Sequence, residues 1–243
     1  MAAQLLIEQG HGVVLHARNE RRGQESLAAV PGAETVVIGD LTSVAQTRGV
    51  ADQVNRLGLF DAVIHNAGVG YRGTGRIVTE DGLPHMFAVN TLAPYILTAL
   101  IRKPKRLVYV SSVLHESGDA TLKDLAWENR PWQGKQAYCD SKLHDVLIAF
   151  AVARRWLDVF SNAVEPGWVA TKLGGAEAPD DLDAGHRTQS WLAISDDPAT
   201  MVTGEYFYHM QLRTPSPAAR DTERQERLLE ACRRISGVDL PIT

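Results

Sequence analysis

Tyr138 and Lys142 stand four residues apart in the run Tyr138-Cys139-Asp140-Ser141-Lys142. On a helix that spacing stacks both side chains on one face. A free phenol, with a pKa of about 10, exchanges protons poorly at neutral pH, and bringing it to roughly 7 takes about 4 kcal/mol of preferential stabilisation of the phenolate. One ammonium about 4 Å away supplies about 4 kcal/mol at an effective dielectric of roughly 20. A tyrosine with a lysine one turn further on is therefore a candidate proton donor and acceptor, although the bare pattern also arises on many helix surfaces.

Three other short stretches carry polar groups where a ligand could meet them. Ser111-Ser112 closes the apolar run Leu107-Val108-Tyr109-Val110, and a hydroxyl at the carboxyl end of a strand either polarises a substrate oxygen or simply ends the strand. Asn66-Ala67-Gly68 follows Asp61-Ala62-Val63-Ile64-His65. Ligands of open parallel sheets sit beyond the carboxyl ends of strands, and a glycine there permits close backbone approach. Asn90 lies in the otherwise apolar Phe87-Ala88-Val89-Asn90-Thr91-Leu92. A buried amide needs partners, so its role is structural or that of a relay.

The elements that must position these groups follow from periodicity. Residues 1–10 read as a helix closed by Gly10, 12–17 as a buried strand, 20–29 as a helix and 35–38 as a β-branched strand. Helix 43–57, strand 61–65, helix 83–100, strand 106–110, helix 136–156 and strand 159–164 continue the alternation, with a last strand at 205–208 and a charged helix at 220–235. Such alternation predicts βαβ units, hence an α/β fold with a doubly wound parallel sheet, as one domain over residues 1–243. The acidic stretch 174–183 reads as a lid.

Composition narrows the classes. Of 243 residues, 44% are apolar and 22% charged, which excludes disorder, and the net charge of −4 lacks the basic excess of a nucleic-acid binder. Two distant cysteines, Cys139 and Cys232, form neither a disulfide framework nor a zinc ribbon. No stretch reads as a membrane span or signal peptide, so a cytoplasmic protein is expected. A G-x-S-x-G elbow and an HExxH pair are both missing, so neither a serine hydrolase nor a metal site is expected, and His115 reads as a loop residue.

In order along the chain, Asn66-Ala67-Gly68, Asn90, Ser111-Ser112, the Tyr-Lys pair and Pro166-Gly167-Trp168-Val169-Ala170-Thr171 together resemble the short-chain dehydrogenase/reductase family. The wide spacing from Ser112 to Tyr138 and the run Tyr138-Cys-Asp-Ser-Lys-Leu143 resemble its retinol-dehydrogenase-like branch. The resemblance implies a Rossmann-type fold and an NAD(P)-dependent oxidoreductase that interconverts an alcohol and a carbonyl. It implies Tyr138 as acid/base, Lys142 lowering its pKa and holding the nicotinamide ribose, Ser112 orienting the carbonyl, and Asn90 anchoring a proton relay. Asn66, Ala67 and Gly68 would line the cofactor, Asp40 and Leu41 would contact the adenine, and Pro166, Gly167, Val169 and Thr171 would flank the nicotinamide. Arg18, with no acid before Glu20, favours NADP over NAD.

The family's glycine-rich phosphate turn, TGxxxGxG, is missing, because Met1-Ala2-Ala3-Gln4-Leu5 already lies in the helix that it opens. Either a strand and turn belong ahead of Met1, or the chain has little dinucleotide affinity and serves as a non-catalytic scaffold or sensor. A sheet without that strand is expected to carry a gap. Trp168, Leu173, Trp191 and Leu192 are expected to line an apolar substrate pocket for a small, hydrophobic alcohol or carbonyl compound. A homo-oligomer through the helices bearing Asn90 and Tyr138 is the expected association.

Overall fold

The computed structural model describes residues 1–72, 75–171 and 173–242. Helix α1 (Ala2–Glu8) leads into β1 (Val14–Ala17), α2 (Glu20–Ala29), β2 (Thr35–Ile38), α3 (Val44–Leu57) and β3 (Ala62–His65). Side chains start these helices where the sequence places them. Asn19 accepts a hydrogen bond from the Arg22 amide at the head of α2, and Ser43 accepts one from Gln46 at the head of α3.

The segment expected as one helix over 83–100 is divided. Short α4 (His85–Phe87) runs into a π-helical turn, Ala88–Leu92, and then α5 (Ala93–Leu100). Pro94 explains the widening, since its ring has no N–H to give the carbonyl of Asn90 and crowds it instead. Beyond β4 (Arg106–Val110) and a 3₁₀ turn (Val113–Ser117) come α6 (Gly134–Arg155), β5 (Phe160–Glu165) and α7 (Ala184–Ile194). Then follow β6 (Tyr206–Tyr208), β7 (Gln211–Leu212) and α8 (Thr222–Ser236).

The strands pair in two groups. β1 and β2 pair in parallel, while β3, β4, β5 and β6 form a parallel sheet that β7 extends in the antiparallel sense. β1 pairs only with β2 and β3 only with β4 among the described residues, so the gap expected from the sequence is present. Helix packing joins the two sheets. Val14 of β1 and Val63 of β3 both pack against a cluster built from Val37, Leu41, Val50, Ala51, Val89 and Ala93.

Helix α6 is the centre of the core. Residues 137–153 are buried without interruption, polar ones included. β4 and β5 lie against it, and α8 packs on it through Leu228, Leu229 and Cys232. A helix enclosed on all sides must satisfy every polar group on it internally. Leu122 and Leu125 of the loop before α6 pack against the same core. His115, expected as a loop residue, is instead fully buried in the 3₁₀ turn. Its Nε2 accepts from the amide of Ser216 and its Nδ1 meets the Ser112 carbonyl, which ties this turn to the C-terminal region.

Candidate active site

A cleft of about 700 Å³ opens over the carboxyl ends of β3, β4 and β5. The loop after each strand and the first turns of α6 put side chains into it: Asn66 and Gly68 after β3, Ser112 after β4, Pro166 to Thr171 after β5, and Tyr138 and Lys142 from α6. The start of α1, Met1 to Ala3, reaches the same cleft.

Lys142 is buried, and its Nζ donates to the Val110 carbonyl at 2.8 Å and to Asp145 Oδ2 at 2.8 Å. The same Nζ lies 5.7 Å from the centroid of the Tyr138 ring. Tyr138 is buried too, with the ring of Tyr71 tilted against it at 5.5 Å. The two side chains thus share one helix face, as their spacing predicts. The phenol, however, sits above its ordinary pKa. Burial raises it and the nearby Asp145 carboxylate adds to that, outweighing the opposing pull of Lys142. The cation one turn away, from which a lowered phenol was expected, does not by itself decide the proton affinity of Tyr138. Lys142 stays firmly charged, because Asp145 and Tyr138 outweigh the cost of burying its ammonium. Burial pushes the Asp145 carboxyl up to about 6 against the attraction of Lys142.

The two serines take different jobs. Ser111 is buried and its hydroxyl donates to the Lys142 carbonyl. Ser112 is half-buried at the cleft, where its Oγ accepts from the Leu114 amide and keeps its own proton to give. Asn90 is 1% exposed and fully engaged. Its Oδ1 accepts from the Val69 amide at 2.8 Å, and its Nδ2 donates to the Val69 carbonyl and to Ser141 Oγ, each at 3.0 Å. This clamp fixes the turn after β3. At Gly68 a Cβ would lie 3.6 Å from Asn90 Oδ1 and 3.8 Å from Lys142 Nζ, so the bare backbone leaves that space open.

Beyond β5, Gly167 adopts φ +82°, the left-handed region that favours glycine, and a Cβ there would strike Asp180. The Trp168 amide donates to Asp180 Oδ2, and its indole N–H donates to the Gly174 carbonyl. The acidic stretch 174–183 is thereby folded against the loop of residues 166–171. Arg72 pairs with Glu177 and lies over the Trp168 ring, closing the cleft from the other side.

Four expected ligand contacts lie outside the lining of this cleft. Arg18 is exposed just past β1, Asp40 binds the amide and hydroxyl of Thr42, Leu41 is buried in the core cluster, and Ala67 is exposed. Trp168 and Leu173 line the cleft as expected, but Trp191 and Leu192 do not. They sit on the underside of α7, packed with Val108, Val164 and Phe207, because the turns of α7 aim Gly185, His186 and Gln189 at the cleft instead. Asp145 and Tyr71 escaped the sequence reading. A carboxylate three residues after Lys142 was a readable signal for the first, whereas nothing local marks Tyr71. No cluster of His, Cys, Asp or Glu among the described residues could hold a metal ion, and no described helix is long and apolar enough to cross a membrane.

Residues 1–201 match a protein family described as Enoyl-(Acyl carrier protein) reductase. An uncharacterised oxidoreductase of Emericella nidulans is 45% identical over 99% of this chain and 93% of its own length. Human retinol dehydrogenase 13 is 30% identical over 83% of this chain and 68% of its own. Among solved structures, an uncharacterised protein from Mycobacterium paratuberculosis superposes with a TM-score of 0.82 at 26% identity, covering 99% of this chain and 89% of that one.

Proposed function

The chain belongs to the short-chain dehydrogenase/reductase family of oxidoreductases, and from that premise we propose that it interconverts an alcohol and a carbonyl on a small hydrophobic substrate, with NAD(P) as hydride carrier. The observation that carries this reading is the Tyr138–Lys142 pair, buried on one helix face and opening on the same cleft as the half-buried Ser112 hydroxyl.

The residues present fit a nicotinamide dinucleotide at its ribose end. Gly68 has no side chain where one would meet Asn90 Oδ1 and Lys142 Nζ. Two of the three N–H donors of Lys142 are bound, which leaves one for a ribose hydroxyl. When bound, such a cofactor supplies or accepts the hydride, and the protein supplies position and the proton. Tyr138 gives its phenolic proton to the substrate oxygen in reduction or accepts one in oxidation. Ser112 donates to the same oxygen and fixes its direction. Pro166, Gly167, Val169 and Thr171 would flank the nicotinamide. Arg18 is exposed at the end of β1, where a guanidinium suits a 2′-phosphate, so NADP is the preferred form. A solved relative of the same fold was crystallised with NADPH.

Trp168, Leu173 and Leu182 give the substrate side of the cleft an apolar wall. The test is Tyr138→Phe, assayed by nicotinamide absorbance against a panel of apolar ketones and alcohols. Turnover should fall at least a hundredfold, while NADPH and NADH affinities, read by fluorescence titration, stay within about twofold of the parent. Retained turnover in the variant would refute the assignment of Tyr138, and equal affinity for the two nucleotides would refute the preference for NADP.

A further inference from the structure

We propose that Asp145 is a positioning residue of this site: with the Val110 carbonyl it anchors Lys142 from behind, aims the remaining N–H of the ammonium into the cleft, and offsets the pull of that ammonium on the Tyr138 phenol. The inference rests on the reading of Tyr138 as the acid/base.

The geometry is specific. Lys142 Nζ lies 2.8 Å from Asp145 Oδ2, and both side chains are nearly sealed from solvent, at 7% and 4% exposed. An ammonium has three donors in tetrahedral directions. With one on the Val110 carbonyl and one on the carboxylate, the third has the cleft, Gly68 and Tyr138 as its surroundings. The side chain is long and flexible, so without these two anchors it would lose that direction.

The carboxylate also changes the charge that the phenol feels. A bare ammonium in this setting would draw Tyr138 toward the phenolate, whereas the paired one draws it much less. Arg72 and Lys135 share the cleft lining as further cations, and Asp140 lies near Cys139, but among ionised side chains the phenol feels chiefly Lys142 and Asp145. Tyr109 of β4 feels the field of Asp145 and is raised by burial, so it stays protonated. Its hydroxyl meets Thr98 of α5, which also meets His65 of β3, and burial pushes His65 down to about 3, so it is neutral. Cys139 beside Tyr138 is likewise raised by burial and stays a thiol, and the ring of Tyr71 completes the surround. Burial has the largest effect on the phenol, and Lys142 and Asp145 are the two ionised groups that act on it most, in opposite senses. A protonated phenol is the form that can give a proton to a carbonyl oxygen, so the resting site is set for reduction.

The experiment uses Asp145→Asn, which keeps the shape and removes the charge. Tyrosinate absorbance is titrated in the parent and in the variant, each as a difference from the same protein carrying Tyr138→Phe, so that Tyr138 alone is read. The ionisation of Tyr138 should move down by about one pH unit. The pH profile of alcohol oxidation should shift the same way, raising oxidation relative to reduction at pH 7 by up to about tenfold. If both stay in place, Asp145 merely balances a buried charge and the proposal is overturned. Should Asp145→Asn fail to fold by circular dichroism, Asp145→Ser removes the same charge while leaving a hydroxyl near the ammonium. Tyr138 must again ionise below the parent, and an equal or higher value overturns the proposal. The titration needs no turnover, so it stands apart from the test of Tyr138 as acid/base, which only the activity of Tyr138→Phe can sink.

Discussion

Replacing Asn90 by alanine removes three hydrogen bonds at once and releases the turn on which the cofactor face of the cleft is built. In the parent, the amide holds both the N–H and the carbonyl of Val69 and donates to Ser141 Oγ. Ser141 keeps its own bond to the Tyr138 carbonyl, so the groups left without a partner are the two of Val69. An unsatisfied buried group costs about 1–3 kcal/mol. Val69 is only half-buried, which lets water recover part of that, so the low end applies and the variant should lose about 2–3 kcal/mol. Against the roughly 5–15 kcal/mol that holds a folded chain together, this is a large share. Urea unfolding followed by tryptophan fluorescence should show the midpoint fall by about 1 M, taking a denaturant slope of about 3 kcal/mol per M for a chain of this size. Hydrogen exchange at the Val69 amide should accelerate alongside. A midpoint within about 0.2 M of the parent, with Val69 exchange unchanged, would refute the clamp as the reason for a buried amide in an apolar helix.

Two further outcomes follow from buried groups. Burial pushes His65 down to about 3 and His144 down to about 4, so each binds its proton more readily in the unfolded chain, and the stability present above pH 6.5 is lost as pH falls. At pH 5 each costs about 2 kcal/mol. Asp145, which takes up a proton in the folded state first, returns about 1 kcal/mol. The urea midpoint should therefore drop between pH 7 and pH 5, and His65→Gln or His144→Gln should flatten the drop; equal midpoints at the two pH values would contradict this. At Gly118, an added Cβ would lie 2.6 Å from Leu143 Cβ and 2.9 Å from the Cys139 carbonyl, both on α6. Gly118→Ala should cost about 1–3 kcal/mol by overpacking, and a thermal midpoint unmoved by the substitution would show that the loop can back away freely.

Much of this architecture was legible before any coordinates. The alternation of apolar runs with amphipathic stretches gave β1 to β6 and the long helices nearly to their ends, because βαβ periodicity is a local property of the chain. Pro94 inside a helical pattern was a visible warning, and its effect is the π turn around Asn90 rather than a break.

The sequence by itself determined the chemistry available to this protein: a phenol and an ammonium one helical turn apart, a hydroxyl at the end of one strand, a glycine after another, in the order of an oxidoreductase family. Only the tertiary structure decided that the Ser111 hydroxyl is spent on the Lys142 carbonyl, that Trp191 and Leu192 belong to the core, and that Asp145 shares the ammonium with Tyr138. Those outcomes depend on burial and on the direction of side chains from separate elements packed around α6. A group's proton affinity follows from its surroundings rather than its type, and spacing along one helix carries no record of what closes over it.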